Sequence, residues 1–108
     1  MMDLARMIRA KEVSPVEVTK AHLDRIATLD GKLRAYITVM GDAALTAAKS
    51  AEAALVSSAT LGPLHGVPIG LKDLYCTRGV KTTGGSKVLA DWVPEEDATV
   101  VSRLYPGA

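Results

Sequence analysis

The sequence predicts an α/β chain, mainly helical over residues 1–60 and strand-bearing over 61–108. Three observations carry that reading. Ser14-Pro15-Val16-Glu17 is a helix start, and the alanine-rich run from Ala43 to Val56 is a second helix. Beyond Thr60 the composition changes, and most of the nine glycines crowd in by Gly85. Within that stretch the apolar run Val67–Leu71 reads as a short buried strand between tight turns. Helices alternating with strands imply a layered α/β arrangement.

The elements follow in order. Asp3 is placed to cap a short first helix with Leu4, Met7 and Ile8 on one face. Ser14 and Glu17 have the spacing of a capping box, with Pro15 at the first helical position. Val16, Thr19, Leu23, Ile26 and Ala27 then recur at helical spacing, which predicts a helix over about 15–29 ended by Asp30-Gly31. Arg34 to Val39 reads as a strand, because Tyr36, Ile37 and Val39 favour extended backbone. Gly41-Asp42 opens the third helix, Ala43 to Val56, whose alanines give it high propensity. Ala44, Ala48, Ala51 and Leu55 line a narrow face suited to close packing. A last helix is expected over Asp97–Leu104, with Val100, Val101 and Leu104 inward and Pro106 stopping it. Asp91, Glu95, Glu96 and Asp97 sit at or before its start, where the helix dipole favours negative charge. Two strands are too few to cover this many helices. The chain therefore reads as a truncated part of a larger layered domain.

Composition bounds the function. The chain has 108 residues, 48% hydrophobic and 23% charged, ordinary for a globular protein. With no Phe, one Trp and three Tyr, packing falls to aliphatic side chains. The net charge is +1, so counterion release gives little drive toward a phosphate backbone, and nucleic acid is not expected as a partner of this segment. Cys76 is the only cysteine, which excludes an internal disulfide and suits a cytoplasmic protein. The N-terminus lacks the apolar core of a signal peptide, and no apolar run approaches the roughly 20 residues of a membrane span.

The segment Gly66-Val67-Pro68-Ile69-Gly70-Leu71-Lys72-Asp73 is the most unusual. In an extended strand, Val67, Ile69 and Leu71 face one way and Pro68, Gly70 and Lys72 the other. Pro and Gly leave space beside Lys72. A lysine serves as a base near neutrality only where its ammonium form is disfavoured, and burial in an apolar strand does that. Asp73 would point to the opposite face and need not pair with it. The competing account is an ordinary lysine with an apolar stem and a solvated head at a strand end.

Other motifs carry less. Gly79-Val80-Lys81-Thr82-Thr83-Gly84-Gly85-Ser86-Lys87 fails the P-loop pattern, since Gly85 stands where the lysine must be. Its glycines predict a tight loop whose backbone is satisfied by the hydroxyls of Thr82, Thr83 and Ser86. Cys76 and His65 show no local sign of a thiol–base pair. His22 and His65 lack metal-ligand spacing, and neither metal nor cofactor is expected.

Taken together, Gly62-Pro63-Leu64-His65-Gly66-Val67-Pro68-Ile69-Gly70-Leu71-Lys72-Asp73, then Gly79, Thr82-Thr83 and Gly85-Ser86, resemble the amidase signature family. The likeness continues through Glu96-Asp97-Ala98, Val100-Val101 and Arg103-Leu104, and backward to the Ser14-Pro15 helix start and the 43–55 helix. It covers essentially the whole chain, residues 1–108, as the N-terminal portion of such a domain. The resemblance implies a mixed β-sheet core covered by helices and a Ser–cis-Ser–Lys triad. Lys72 matches the catalytic lysine, which exchanges a proton with a bridging serine that activates the nucleophile. Both serines belong to Gly/Ser-rich motifs well downstream in the family, and this chain ends before them. Neither Ser86 nor Ser57-Ser58 matches. Tyr105-Pro106 also departs from the small residues and glycine that follow Arg-Leu in the family.

The resemblance implies hydrolysis of a small-molecule carboxamide, or release of ammonia from glutamine as the A subunit of an amidotransferase does. With one triad member present, the chain alone is expected to be inactive. The reading from another class is a small non-catalytic binding module, which would need a core of its own. Substrate-binding residues and oligomeric state are not legible.

Overall fold

The structure is a computed structural model that describes residues 1–57 and 60–105. It divides into two compact units, Met1–Ile69 and Gly70–Ala108. Four helices run in order: α1 Met2–Arg9, α2 Pro15–Leu33, α3 Gly41–Val56 and α4 Thr99–Leu104. Among the described residues no helix is long and apolar enough to cross a membrane.

In the first unit, α1 ends in a Schellman arrangement. The Glu12 amide donates to the Met7 carbonyl and the Lys11 amide to that of Ile8, both at 2.9 Å. Lys11 takes the left-handed conformation this requires, φ 58°. Asp3 lies in the first turn and Met1 occupies the cap position, so the expected Asp3 cap does not form. The Ser14 capping box does form. Ser14 Oγ accepts from the amides of Val16 (3.0 Å) and Glu17 (3.4 Å), and Glu17 Oε2 accepts from the Ser14 amide at 3.0 Å. The Ser14 hydroxyl also donates to Glu52 Oε1 on α3. Gly41, at the start of α3, lies beside Leu23 of α2. The two helices therefore form an antiparallel hairpin.

Asp30-Gly31 does not end α2. The helix continues to Leu33 and stops at Arg34, which is left-handed at φ 50°, ψ 44°. Asp30 is the stop by another route. Its Oδ1 accepts from the amides of Ala35 (2.7 Å) and Tyr36 (3.1 Å), turning the chain out of the helix. A Cβ at Gly31 would meet open space, and the residue is carried through the last turn.

The two expected strands are absent. Residues 34–40 and 67–71 are irregular, and among the described residues the only β-pairing is an isolated antiparallel bridge, Thr77–Val80. The mixed sheet core is thus not formed by the described residues. A strand exists through its partner's hydrogen bonds, and β-propensity without a partner leaves an extended segment. Ile37 is 66% exposed and Val39 50%, as befits apolar residues with no sheet to enter. The second unit comes nearest to pairing between residues 76–82 and 92–98. There Ala98 N–H donates to Cys76 O (2.8 Å), Gly79 N–H to Pro94 O (3.0 Å) and Thr82 N–H to Trp92 O (3.0 Å).

The final helix is shorter than the expected 97–104 and begins at Thr99. Asp97 is outside it because its Oδ1 accepts from the Arg78 amide at 2.6 Å. Val101 is its fully buried residue, whereas Val100 is exposed and so departs from the expected inward face. The assigned role of Pro106 lies outside the described residues, as does Ser58.

The core of the first unit is small: Ala5, Ile8, Pro15, Val18, Thr19 and Ala48. The turn 62–66 closes over it. Arg9 donates to the Gly62 carbonyl (3.3 Å), and His65 Nε2 lies 2.8 Å from the Ala51 carbonyl oxygen on α3. At Gly66, φ is +76° and an added Cβ would lie 2.9 Å from Pro15 Cγ and 3.3 Å from Ile8 Cγ2. Gly66→Ala is therefore expected to destabilise by about 2–4 kcal/mol, combining left-handed strain with overpacking. Ser14→Ala is expected to cost about 1–2 kcal/mol, from the lost cap and the unpartnered Glu52. Both are read as shifts of the urea midpoint, with Lys11→Gly stabilising by up to about 1 kcal/mol as the control of opposite sign.

Candidate active site

The Lys72 region belongs to the second unit. Its backbone turns rather than extends. The Lys72 carbonyl accepts from the amides of Leu74 (2.8 Å) and Tyr75 (3.0 Å), which closes a tight turn over Lys72–Tyr75. The alternation expected of a strand therefore does not govern where Lys72 and Asp73 point. Lys72 is exposed, which corrects the expectation of a lysine desolvated by an apolar strand. Without a sheet around residues 67–71, no layer forms to bury its head.

Asp73 is half-buried and fully engaged. Its Oδ1 accepts from the Thr83 amide at 2.7 Å, and its Oδ2 from the Thr83 hydroxyl. Its backbone carbonyl accepts from the Gly84 amide at 2.7 Å. Thr83 Oγ1 in turn accepts from the Gly85 amide at 3.2 Å. The loop reaches this geometry because Gly84 and Gly85 both take positive φ, 57° and 69°. These glycine conformations bring the Thr83 amide and hydroxyl onto the Asp73 carboxylate and the Gly84 amide onto the Asp73 carbonyl. The Thr83 hydroxyl, then the Thr83 amide, hold the Asp73 carboxyl below its ordinary value of 3.8; partial burial opposes them and the Gly85 amide adds to them.

The remaining hydroxyls serve the loop. Thr82 Oγ1 donates to Val80 O at 3.1 Å, and Ser86 Oγ accepts from the Val88 amide at 3.2 Å. Lys81 pairs with Asp91 at 3.2 Å, both exposed, a contact worth little in water. Cys76 is a half-buried free thiol. The Ala51 carbonyl makes Nε2 of His65 the protonated nitrogen, so that ring serves the fold. Among the described residues no group of three or more His, Cys, Asp or Glu gathers to hold a metal.

The spacing of the motif singles out Lys72 and gives no sign of the contact between Asp73 and Thr83. The available signal was a carboxylate beside a lysine, followed ten residues on by a Thr before two glycines. Only the folded loop shows that they meet.

Comparison with known proteins agrees with the motif. The family model described as Amidase matches residues 17–106. The chain belongs to the amidase family. It is 53% identical over 103 residues to the A subunit of glutamyl-tRNA(Gln) amidotransferase from Acidothermus cellulolyticus, covering 95% of this chain and 20% of that protein. The corresponding protein of Moorella thermoacetica is 50% identical, covering 94% and 21%. A solved structure, from work on an unexpected vestigial protein complex that reveals the evolutionary origins of an s-triazine catabolic enzyme, superposes with a TM-score of 0.88. It is 27% identical and covers 94% of this chain and 22% of its own. The amidase chain thus spans about one fifth of the length of these relatives.

The Asp73 contacts predict a pH signature. A depressed carboxyl stabilises the fold fully above its unfolded value, and the effect is lost as pH falls through the folded one. Asp73→Asn should therefore lower the thermal midpoint near neutrality, and the gap to the parent chain should close once pH falls below 3.8. Thermal melts of both chains from pH 7 to pH 2 check this, and a constant gap would remove the carboxylate from the loop's stability.

Proposed function

We propose that this chain is the N-terminal portion of an amidase that cleaves a carboxamide C–N bond, with Lys72 as its proton-transferring base. The observation that carries the reading is the Gly66-x-Pro68-x-x-x-Lys72-Asp73 run lying inside the region matched by the family model. In this reading Lys72 takes a proton from a bridging serine, which takes one from the nucleophilic serine. The nucleophile attacks the amide carbonyl, the one proton held by Lys72 returns through the bridging serine to the departing amine, and water or an acceptor amine releases the acyl group. In this reading both serines belong to the part of the relatives' length that this chain does not span, and residues 1–108 by themselves are expected to turn over no amide.

A lysine needs a dry setting to act this way, and Lys72 is exposed here. The covering layers belong, in this proposal, to the four fifths of the relatives' length that this chain does not span. A free thiol at Cys76 accords with a cytoplasmic enzyme. Glutamine is the favoured amide, as the ammonia source for the A subunit of an amidotransferase. The names of the Acidothermus and Moorella relatives support that choice. A near-neutral segment leaves tRNA contact to other parts of such an assembly.

The test is a chimera in which this chain replaces the matching fifth of the Acidothermus cellulolyticus protein. Glutamine hydrolysis by the chimera should fall about 10²–10⁴-fold on Lys72→Ala, the range of a lost general base. Parent-like rates in that variant would remove Lys72 from the mechanism. Purified residues 1–108 alone should release no ammonia from glutamine.

A further inference from the structure

We infer that Thr83 is a positioning residue for Lys72, acting through Asp73: it holds the Asp73 carboxylate on the loop and so keeps it from pairing with the adjacent ammonium. The inference gains its catalytic meaning from the proposed role of Lys72, but its geometry stands apart from that role.

Asp73 is the acid nearest to Lys72 in sequence, and a carboxylate beside a lysine favours the protonated amine. That is the wrong state for a base. The structure shows where the carboxylate goes instead. Both of its oxygens are taken by Thr83, one by the amide at 2.7 Å and the other by the hydroxyl. The Asp73 carbonyl is held as well, by the Gly84 amide at 2.7 Å, so backbone and side chain of this residue are both tied to the loop. Among the described residues the ion pair formed is Lys81–Asp91, and Lys72 has none. Hydrogen bonds from an amide and a hydroxyl to an ionised oxygen are charge-assisted, whereas an exposed lysine–carboxylate contact is weak. The loop therefore outcompetes Lys72 for Asp73. The depressed Asp73 carboxyl agrees, since it is the Thr83 donors that favour its ionised form.

Thr83→Val keeps the shape of the side chain and removes the hydroxyl. Lys72 is the cation next to the freed Asp73 oxygen along the chain. The experiment is limited acylation of the 108-residue chain at neutral pH with an amine-specific acetylating reagent. Mass spectrometry reads the rate at Lys72 against Lys20 and Lys49 as internal references.

Thr83→Val should slow acylation of Lys72 about two- to fivefold, the strength of an exposed pair. Thr83→Ser, which restores the hydroxyl, should react at the parent rate. The double variant Asp73→Asn/Thr83→Val should recover the parent rate as well, since it has no carboxylate to release. An unchanged Lys72 rate in Thr83→Val would overturn the inference. So would slowing that persists in the double variant, because a collapsed loop rather than a released carboxylate would then be the cause. No substrate is involved, so a flat labelling result with an inactive Lys72→Ala chimera removes only the role of Thr83. Parent-like turnover in that chimera, with labelling as expected, removes only the catalytic role of Lys72.

Discussion

The carboxylate of Asp73 is the point on which the second unit turns. It gathers the amide and hydroxyl of Thr83, while its carbonyl takes the Gly84 amide. A glycine pair at positive φ is what allows those donors to converge. The unit has little else to organise it. Among its described residues Thr82, Pro94 and Val101 are the buried ones, and single backbone bonds replace a sheet ladder between residues 76–82 and 92–98. Polar closure of one loop therefore does the ordering that a core does in a larger layer.

The first unit rests on different physics. Ile8 and Pro15 form a contact into which only a residue without a Cβ fits, and Gly66 is that residue. Around it, the Ser14 hydroxyl joins the start of α2 to Glu52 on α3. Helix propensity and capping are local, so this unit needs few long-range contacts to define it. The same chemistry leaves an apolar segment unsatisfied at Tyr36 to Met40. Its β-branched and aromatic residues suit a sheet, and the described residues supply no strand beside them.

Family membership and local structure meet at Lys72. The motif lies in a region whose relatives are about five times longer than this chain. Lys72 is exposed there, beside an Asp73 carboxylate whose two oxygens are both held by Thr83. The turn over Lys72–Tyr75 and the 83–85 loop set its backbone, whereas the dry surroundings that a catalytic lysine needs are not built by residues 70–105.

The sequence by itself determines the local chemistry of this chain. The Ser14 box, the Ala-rich α3 and the Gly/Thr loop with its Thr82 and Ser86 hydroxyls on local backbone could be read directly, because each depends on neighbours within about four residues. The Lys72 motif was legible as a pattern for the same reason. Tertiary structure decided the rest. It carried α2 past Gly31 to Leu33, because Asp30 acts from within the last turn, accepting from the Ala35 and Tyr36 amides to turn the chain out after Arg34. It left residues 34–39 and 67–71 unpaired, because strand formation requires a second chain segment that spacing cannot supply. It also gave Asp73 to Thr83 rather than to Lys72, a choice among competing partners that only folded geometry can make.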